Sequence, residues 1–172
     1  MGITFIYVTH DQDEALSMSD RIIVLEKGIV RQIGTPIEVY ENPNSIYVAD
    51  FLGDANIFES KIIDIKNDKI FLENNIVAKN NNFKINDKVN LVIRPEDIKV
   101  TKVEKENNFL KGIVTEQIYD GSFTKILVKF NKKIIQVLMM GSDKEYHKND
   151  EIFLYWDIND VVVLGSEVDE KK

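Results

Sequence analysis

The chain has 172 residues, of which 44% are hydrophobic and 30% charged, and its formal net charge is −7. This length allows one domain or two, and the composition excludes wholesale disorder. No apolar run approaches the roughly 18–20 residues that a membrane-spanning helix needs. The sequence contains no cysteine, which excludes a disulfide framework and a thiolate metal site and suits a reducing cytoplasm.

The charge is unevenly distributed along the chain. Residues 1–53 hold three basic and eight acidic side chains, whereas residues 54–172 hold 19 and 21. A nucleic-acid-binding module normally presents a basic stripe that displaces counterions from phosphates. Here lysines alternate with acids along the predicted strands, so we expect no nucleic-acid partner and disfavour an OB-fold nucleic-acid binder.

The first segment combines a strand signal with a helix start. Ile3–Val8 is a continuous apolar run rich in β-branched and aromatic residues, which predicts a strand buried on both faces in a parallel sheet. His10 follows directly. Asp11 then predicts a helix N-cap, with Glu14 completing a capping box three residues later.

The next segment predicts a hairpin. Arg21–Glu26 and Ile29–Ile33 flank Lys27-Gly28, a dipeptide typical of a tight turn. The resulting β–α–β–β order is typical of the last part of an α/β domain whose earlier part is absent. We therefore expect residues 1–53 to be a small α/β remnant.

Two short helices are predicted before the pattern changes. Thr35 followed by proline is a helix start, and Glu38 closes a capping box. Pro43 ends this helix, and Asn44 or Ser45 caps a second helix, for which Gly53 supplies the stop. Beyond Gly53 almost only short strands are predicted, which places a domain boundary near residue 54.

The second region, residues 54–172, is predicted to be mainly β. Asparagine and aspartate pairs punctuate it, and they favour tight turns. About ten short strands at this spacing favour barrels over a flat sheet, because closure removes unpaired edges. Residues 105–108 are predicted to be a polar loop, and residues 167–172 a charged tail. The predicted strands are Ile57–Ile65, Lys69–Glu73, Ile76–Lys79, Lys88–Ile93, the alternating Ile98, Val100 and Val103, Phe109–Ile118, Phe123–Phe130, Ile134–Met139, Glu151–Trp156 and Val161–Leu164.

Three stretches together resemble the ATPase subunits of ABC importers. Tyr7–Gly28, reading YVTHDQDEALSMSDRIIVLEKG, resembles their switch-histidine region. Gln32–Phe58, reading QIGTPIEVYENPNSIYVADFLGDANIF, resembles the segment that joins the nucleotide-binding domain to the C-terminal regulatory domain. Leu91–Ile98, reading LVIRPEDI, resembles a strand and turn of that domain. Within the family, the Asn-Ile-Phe after the linker and the ending YWDINDVVVL are most similar to the spermidine/putrescine (polyamine) branch.

This resemblance implies a domain organisation and a function. Residues 1–53 would be the tail of the nucleotide-binding domain, and residues 54–172 an OB-like, transport-associated OB (TOBE) barrel that regulates and dimerises. His10 would be the switch histidine, which contacts the γ-phosphate of ATP, with Mg²⁺ as the accompanying ion and no metal site in this chain. The family further implies a homodimer, membrane permease partners and a cytoplasmic location at the inner face of the cell membrane.

Most of the catalytic machinery of the family has no counterpart in this sequence. Phosphoryl transfer needs a glycine-rich loop with lysine, a hydroxyl and a carboxylate for Mg²⁺, and a group that orients water. The 172 residues contain no G-x-x-x-x-G-K-[ST] motif, no hydrophobic strand ending in paired acids and no Leu-Ser-Gly-Gly signature. We expect a C-terminal fragment that is inactive alone although the intact subunit is an ATPase.

Several barrel residues leave alternatives open. Arg94 and Glu96 either form a surface ion pair or shape an interface or ligand pocket between protomers. Trp156 is expected to be an anchor of the barrel or of an interface rather than a stacking platform, because no basic neighbours accompany it. Gly112, Glu116 and Gly121 lie in a stretch that resembles the transport-associated OB motif. The two glycines are expected to permit a bulge and a tight turn rather than to contact a ligand. The alternative to an importer ATPase is a stand-alone OB-type module that binds a small oxyanion.

Overall fold

The computed structural model describes residues 3–104, 108–142 and 145–166. The chain divides into two compact units, residues 1–53 and 54–172. Residues 105–107 of the predicted loop at 105–108 and the predicted charged tail at 167–172 lie outside the described residues. Among the helices that are described, none is both long and apolar enough to cross a membrane.

The first unit contains three short helices and one hairpin. The turn of the hairpin is Lys27-Gly28, where both residues have positive φ, 50° and 82°. This is the conformation of a two-residue turn between twisted strands, so the predicted hairpin is confirmed. The elements are α1 (Gln12–Met18), β1 (Ile22–Glu26), β2 (Ile29–Gly34), α2 (Pro36–Glu41) and α3 (Ile46–Phe51).

The two linker helices begin as the sequence predicts. The Thr35 side chain accepts from the Glu38 backbone N–H, and the Glu38 carboxylate accepts from the Thr35 N–H, which completes the capping box. Ser45, rather than Asn44, caps α3. These helices and β1 enclose a small core of buried side chains, namely Ile22, Val24, Val39, Val48 and Leu52.

The predicted buried strand at Ile3–Val8 is wrong. The segment has no regular secondary structure in the described unit, and its side chains are exposed, Ile6 by 90% and Val8 by 89%. A strand must pair its backbone N–H and C=O groups with a neighbour, but the described sheet of this unit consists of β1 and β2. The apolar run therefore indicates a capacity for strand pairing, and no described residue of this unit pairs with it.

The second unit is built from ten described strands, which confirms the predicted mainly β region and its turns. Positive φ values occur at Asn67, Asp68, Asn86 and Asn131, where asparagine and aspartate tolerate the left-handed conformation best. The strands are β3 (Asn56–Lys66), β4 (Lys69–Leu72), β5 (Ile76–Lys79), β6 (Lys88–Ile93), β7 (Lys99–Thr101), β8 (Phe109–Tyr119), β9 (Phe123–Phe130), β10 (Lys133–Met140), β11 (Glu151–Tyr155) and β12 (Val162–Gly165).

The strands form two five-stranded sheets that curl because their longest strands change partners. β3 pairs with β6 through residues 56–61 and with β4 through residues 62–66. β8 likewise pairs with β11 at its start and with β9 at its end. Each long strand carries a register shift near its middle, between Ile62 and Asp64 in β3 and between Val114 and Glu116 in β8. Such irregularities bend a strand and help a sheet to close.

The two sheets repeat one topology and exchange their last strands. Their strand orders are β12-β6-β3-β4-β5 and β7-β11-β8-β9-β10, so β3–β6 correspond to β8–β11 in sequence. β7 pairs with β11 and β12 pairs with β6, so each half supplies the final strand of the other sheet. The unit is therefore two interlocked halves around one core.

Two buried asparagines fix this interlocking. Asn56, at the start of β3, donates through Nδ2 to the Gln136 carbonyl and accepts through Oδ1 from the Gln136 N–H, both at 2.8 Å. Asn108, directly before β8, accepts from the Val77 N–H at 2.6 Å. Each asparagine thus hydrogen-bonds to the backbone of the outermost strand of the opposite sheet, Asn56 to β10 and Asn108 to β5.

The two glycines of the transport-associated OB motif have different roles. Gly121 has a φ of 102° in the turn after β8, as predicted. Gly112 does not lie at the bulge, because it pairs in regular register with Ile152 and the shift occurs two residues later. A Cβ on Gly112 would instead lie 2.5 Å from Val128 Cγ1, so close packing excludes a side chain there.

Candidate functional site

His10 lies on the surface of the first unit, directly before the helix α1. Its side chain is exposed, and it makes no hydrogen bond or ion pair with the described part of the chain. The helix that follows begins at Gln12, with Asp11 as its N-cap accepting from the Glu14 N–H at 3.0 Å. The position of the imidazole is therefore determined by the backbone bend between residue 9 and the first turn of α1.

The predicted capping box at Asp11 and Glu14 forms only by half. The Glu14 carboxylate accepts instead from the Tyr7 hydroxyl at 3.0 Å and from Thr9 Oγ1 at 2.8 Å, both through Oε2. The Asp11 N–H, which the box would have given to Glu14, donates to Thr9 Oγ1 at 3.0 Å. Thr9 competes successfully because its hydroxyl lies two residues before the N-cap and bonds locally.

The carboxylate of Glu14 also affects Tyr7. The hydrogen bond from the Tyr7 hydroxyl to Glu14 raises the pKa of the phenol, and the negative charge of Glu14 adds to this effect. Tyr7 therefore stays protonated and continues to donate across the neutral and mildly alkaline range. From the sequence, neither Tyr7 nor Thr9 is singled out, and Glu14 is named only as part of a capping box, which does not involve them.

Arg94 and Glu96 follow β6 and point to different environments. Arg94 is only 6% exposed, and Pro95 beside it is buried. Both the ion pair and the interface or pocket between protomers stay predictions for Arg94 and Glu96. The turn after β6 is tight, because the Asp97 N–H donates to the Arg94 carbonyl at 3.1 Å. Glu96 is exposed and lines a cleft of about 330 Å³ together with residues of β7, β9 and β10.

Trp156 belongs to the barrel core. It is 4% exposed, packs in the main apolar cluster of the second unit, and donates its backbone N–H to the Asn108 carbonyl at 3.3 Å. Its indole N–H has no hydrogen-bond partner among the described residues. The packing of Trp156 is that of a core residue of the barrel, and its role at an interface stays a prediction. His10 lies in the first unit, and Arg94, Glu96 and Trp156 lie in the second.

A larger cavity in the second unit is lined in part by Ser60, which the sequence analysis does not name as a site residue. It has a volume of about 650 Å³ and is lined by the inward-facing Phe58 and Ser60 of β3, by Leu110 of β8, and by the turn Asn131–Lys133. The Ser60 hydroxyl is buried and has no partner among the described residues. The sequence signal was a polar residue in the apolar register of β3, between Phe58 and Ile62.

Comparison with known proteins finds a domain family within the second unit and finds relatives along most of the chain. The TOBE domain family matches residues 91–164. The spermidine/putrescine import ATP-binding protein PotA of Fusobacterium nucleatum is 44% identical, over 91% of this chain and 45% of its own length. The PotA proteins of Legionella pneumophila and Spiroplasma citri are 40% and 37% identical, over 91% and 99% of this chain.

The chain spans about half the length of the curated relatives it matches, 45–47% for these three. A solved structure of the cytoplasmic molybdate-binding protein ModG matches 63% of this chain and 94% of its own chain, with a TM-score of 0.53 and 12% sequence identity. At this identity the match shows the fold alone, and the fold is an OB-like barrel. The predicted resemblance is thus confirmed: the chain is a relative of the spermidine/putrescine import ATP-binding proteins of ABC importers and carries a TOBE domain at residues 91–164.

Proposed function

We propose that the chain is the C-terminal part of the ATP-hydrolysing subunit of an ABC importer for polyamines. The observation that carries this proposal is that identity to the polyamine import proteins covers 91–99% of the chain and so extends through both compact units. Residues 1–53 are then the tail of the nucleotide-binding domain. Residues 54–172 are the regulatory and dimerising barrel.

In this proposal His10 is the switch histidine of the intact subunit. ATP with Mg²⁺ supplies the transferable phosphoryl group there. The exposed imidazole fits a contact to a γ-phosphate oxygen, because no described residue occupies its ring nitrogens, and such a contact helps to polarise the attacking water. This chain does not supply the loop that holds the phosphates, since the 172 residues contain no G-x-x-x-x-G-K-[ST] motif. In this proposal the phosphate loop and the other catalytic groups belong to the rest of the intact subunit.

The isolated chain should therefore neither bind nor hydrolyse MgATP. Binding requires the backbone amides and lysine of the phosphate loop, and one imidazole does not replace them. Calorimetric titration of the 172-residue chain with MgATP and a phosphate-release assay measure both properties. Micromolar binding, or turnover above a buffer blank, would contradict the assignment of this chain as a partial subunit.

The proposed partners are a second copy of the chain and the membrane permease subunits of the importer, at the cytoplasmic face of the cell membrane. The barrel is the proposed dimer contact. Light scattering on the full chain and on residues 54–172 separates the contributions of the two units. Dimers of both species are expected, and a monomeric barrel species would remove the dimerising role from the barrel.

The transported substrate is tested by uptake. The intact subunit is reconstituted with its permease subunits and binding protein in vesicles, and ATP-dependent uptake of labelled spermidine is measured. Putrescine should compete with the label, and maltose should not. ATP-dependent uptake of a different solute, with no uptake of spermidine, would show that the polyamine assignment is wrong while the importer assignment holds.

A second candidate function is small-oxyanion binding by the barrel. The observation that favours it is the cavity of about 650 Å³, within the range of ligand pockets, with the unpartnered Ser60 hydroxyl in its wall and Lys132 and Lys133 at the turn that lines it. ModG, a molybdate-binding protein, has a similar fold. Titration of the chain with molybdate decides this candidate: heat that Ser60→Ala and Lys132→Ala remove would support it, and no heat would reject it.

A further inference from the structure

We propose that Glu14 is a positioning residue for His10: its carboxylate holds the residues on the N-terminal side of the histidine against the first turn of α1 and so fixes where the imidazole points. This inference rests on the role proposed above for His10. It assigns to Glu14 a function in the ATPase reaction without any contact between Glu14 and the nucleotide.

The geometry consists of four hydrogen bonds around the bend at His10. Two of them end on Glu14 Oε2, from the Tyr7 hydroxyl at 3.0 Å and from Thr9 Oγ1 at 2.8 Å. The other two run through Asp11, whose N–H donates to Thr9 Oγ1 at 3.0 Å and whose Oδ1 accepts from the Glu14 N–H at 3.0 Å. The bonds therefore close a ring that joins both sides of His10.

An ordinary helix cap does not need this arrangement. A glutamate at the third helical position usually returns to the N–H of the N-cap residue, but Thr9 already satisfies that group here. The Glu14 side chain is directed past the cap to residues 7 and 9, which lie on one side of the chain at a spacing of two. The two hydroxyl bonds come in addition to the Asp11 cap, so the bend is held at more points than a cap alone would hold it.

His10 depends on this support because its side chain is exposed and no hydrogen bond or ion pair with a described residue orients it. Its direction follows from the backbone at residues 9–11. Misplacing a group in a catalytic site by about 1 Å lowers a rate by about 100-fold. Loss of the Glu14 carboxylate is therefore expected to lower the rate of hydrolysis and to leave nucleotide affinity alone.

The first experiment uses the 172-residue chain and needs no activity. NMR spectra of the His10 ring and of the Thr9 and Asp11 amides are compared for the chain and three variants. Glu14→Ala should shift and broaden these signals, because the tether to residues 7 and 9 is lost. Glu14→Gln should preserve them, because its amide oxygen accepts both hydroxyls. Asp13→Ala, in the same turn of α1, is the matched control and should have no effect.

The second experiment measures steady-state ATPase of the intact subunit with the same variants. Glu14→Ala should lower kcat by about ten- to a hundredfold with an unchanged KM for ATP, whereas Glu14→Gln and Asp13→Ala should stay near wild type. Thr9 provides a second pair that does not alter the helix: Thr9→Val should lower kcat, and Thr9→Ser should retain it.

The outcomes separate this inference from the proposed function. If His10→Ala leaves turnover intact, the role of His10 itself is wrong. If His10→Ala is inactive but Glu14→Ala behaves like Asp13→Ala, only the positioning role is overturned. Equal losses for Glu14→Ala and Glu14→Gln would also overturn it, because they would assign the effect to the charge rather than to the two hydrogen bonds.

Discussion

The two units of the molecule use similar sequence patterns with opposite results. The first unit encloses only five buried apolar side chains in its described core, whereas the described core of the second unit contains 22, drawn from both sheets. Ile3–Val8 in the first unit is as apolar and β-branched as any strand of the second, yet it lies exposed. The difference shows that a strand sequence acquires its structure from a paired neighbour, which the barrel supplies internally.

This contrast also separates the residues that we expect to control stability from those that we expect to control hydrolysis. In the barrel unit, the long strands, the exchanged end strands and the buried asparagines find their hydrogen-bond partners within the unit. The first unit presents exposed apolar faces on β1 and β2, where Ile23, Leu25 and Ile29 are more than half exposed, together with the one residue proposed for catalysis. We therefore expect substitutions in the barrel to change stability and substitutions around His10 to change hydrolysis.

The largest expected effect is on stability, and it comes from a matched pair of isoleucines. Ile62 is fully buried between the sheets, and Ile6 is 90% exposed. Ile62→Ala should destabilise the chain by about 2–5 kcal/mol through lost burial and a cavity. Ile6→Ala should change stability by less than about 0.5 kcal/mol. Urea denaturation followed by circular dichroism measures both, and equal effects would show that the first unit packs more tightly than described.

The next effect concerns catalysis in the intact subunit. His10→Ala should lower ATP hydrolysis by about 100-fold or more and leave ATP binding largely intact, because the imidazole acts on the γ-phosphate in the transition state. The control is the second of the two histidines, His147, which is exposed in the barrel unit; His147→Ala should hydrolyse ATP normally. Near wild-type turnover of the His10 variant would mean that the chemistry does not lie in the first unit.

Close packing at Gly112 predicts a smaller loss of stability. An added Cβ would lie 2.5 Å from Val128 Cγ1 and 3.0 Å from the Lys129 carbonyl oxygen. Gly112→Ala should therefore cost about 1–3 kcal/mol through overpacking. Adding Val128→Ala should recover part of that loss, although Val128→Ala alone destabilises the core. A double-mutant cycle in urea measures the coupling, and strict additivity would show that Val128 is not the residue that excludes a side chain.

Much of the fold was predictable from the sequence because its signals are local. Alternating apolar residues bounded by asparagine and aspartate gave all ten strands of the barrel, and Thr35 with Glu38 gave a capping box that the structure reproduces. The exchange of β7 and β12 between sheets was not predictable, since strand order depends on pairings between residues far apart in sequence. The prediction of a strand at Ile3–Val8 was wrong for the same reason, because the apolar pattern indicates burial but does not supply a strand to pair with.

The candidate site was predictable only in part. His10 follows from its place before a helix and from the family resemblance, and the structure leaves it exposed and accessible. The network on Glu14 was missed because two reasonable rules compete there: the capping box predicts one partner for the carboxylate, and the hydroxyls of Tyr7 and Thr9 provide two others. The burial of Arg94 was missed because a charged residue beside a proline turn is usually exposed.

The smallest effect is a pH dependence that distinguishes the two units. Hydrogen bonds from the backbone N–H groups of Phe123 and Ser122 lower the pKa of Asp120, at the turn between β8 and β9. Because its folded-state pKa lies below the unfolded value of about 3.9, the stabilisation is present above that value and is lost as the pH falls through the folded pKa.

Asp120→Asn should therefore remove a small part of the acid sensitivity of barrel unfolding. The difference in urea midpoint between the variant and the parent chain is expected to be largest at neutral pH and to shrink as the pH falls below about 4. Glu38 is the matched control, since hydrogen bonds from Thr35 lower its pKa in the first unit. Glu38→Gln should leave the pH profile of the barrel unchanged. If it alters that profile as much as Asp120→Asn does, the two units unfold together.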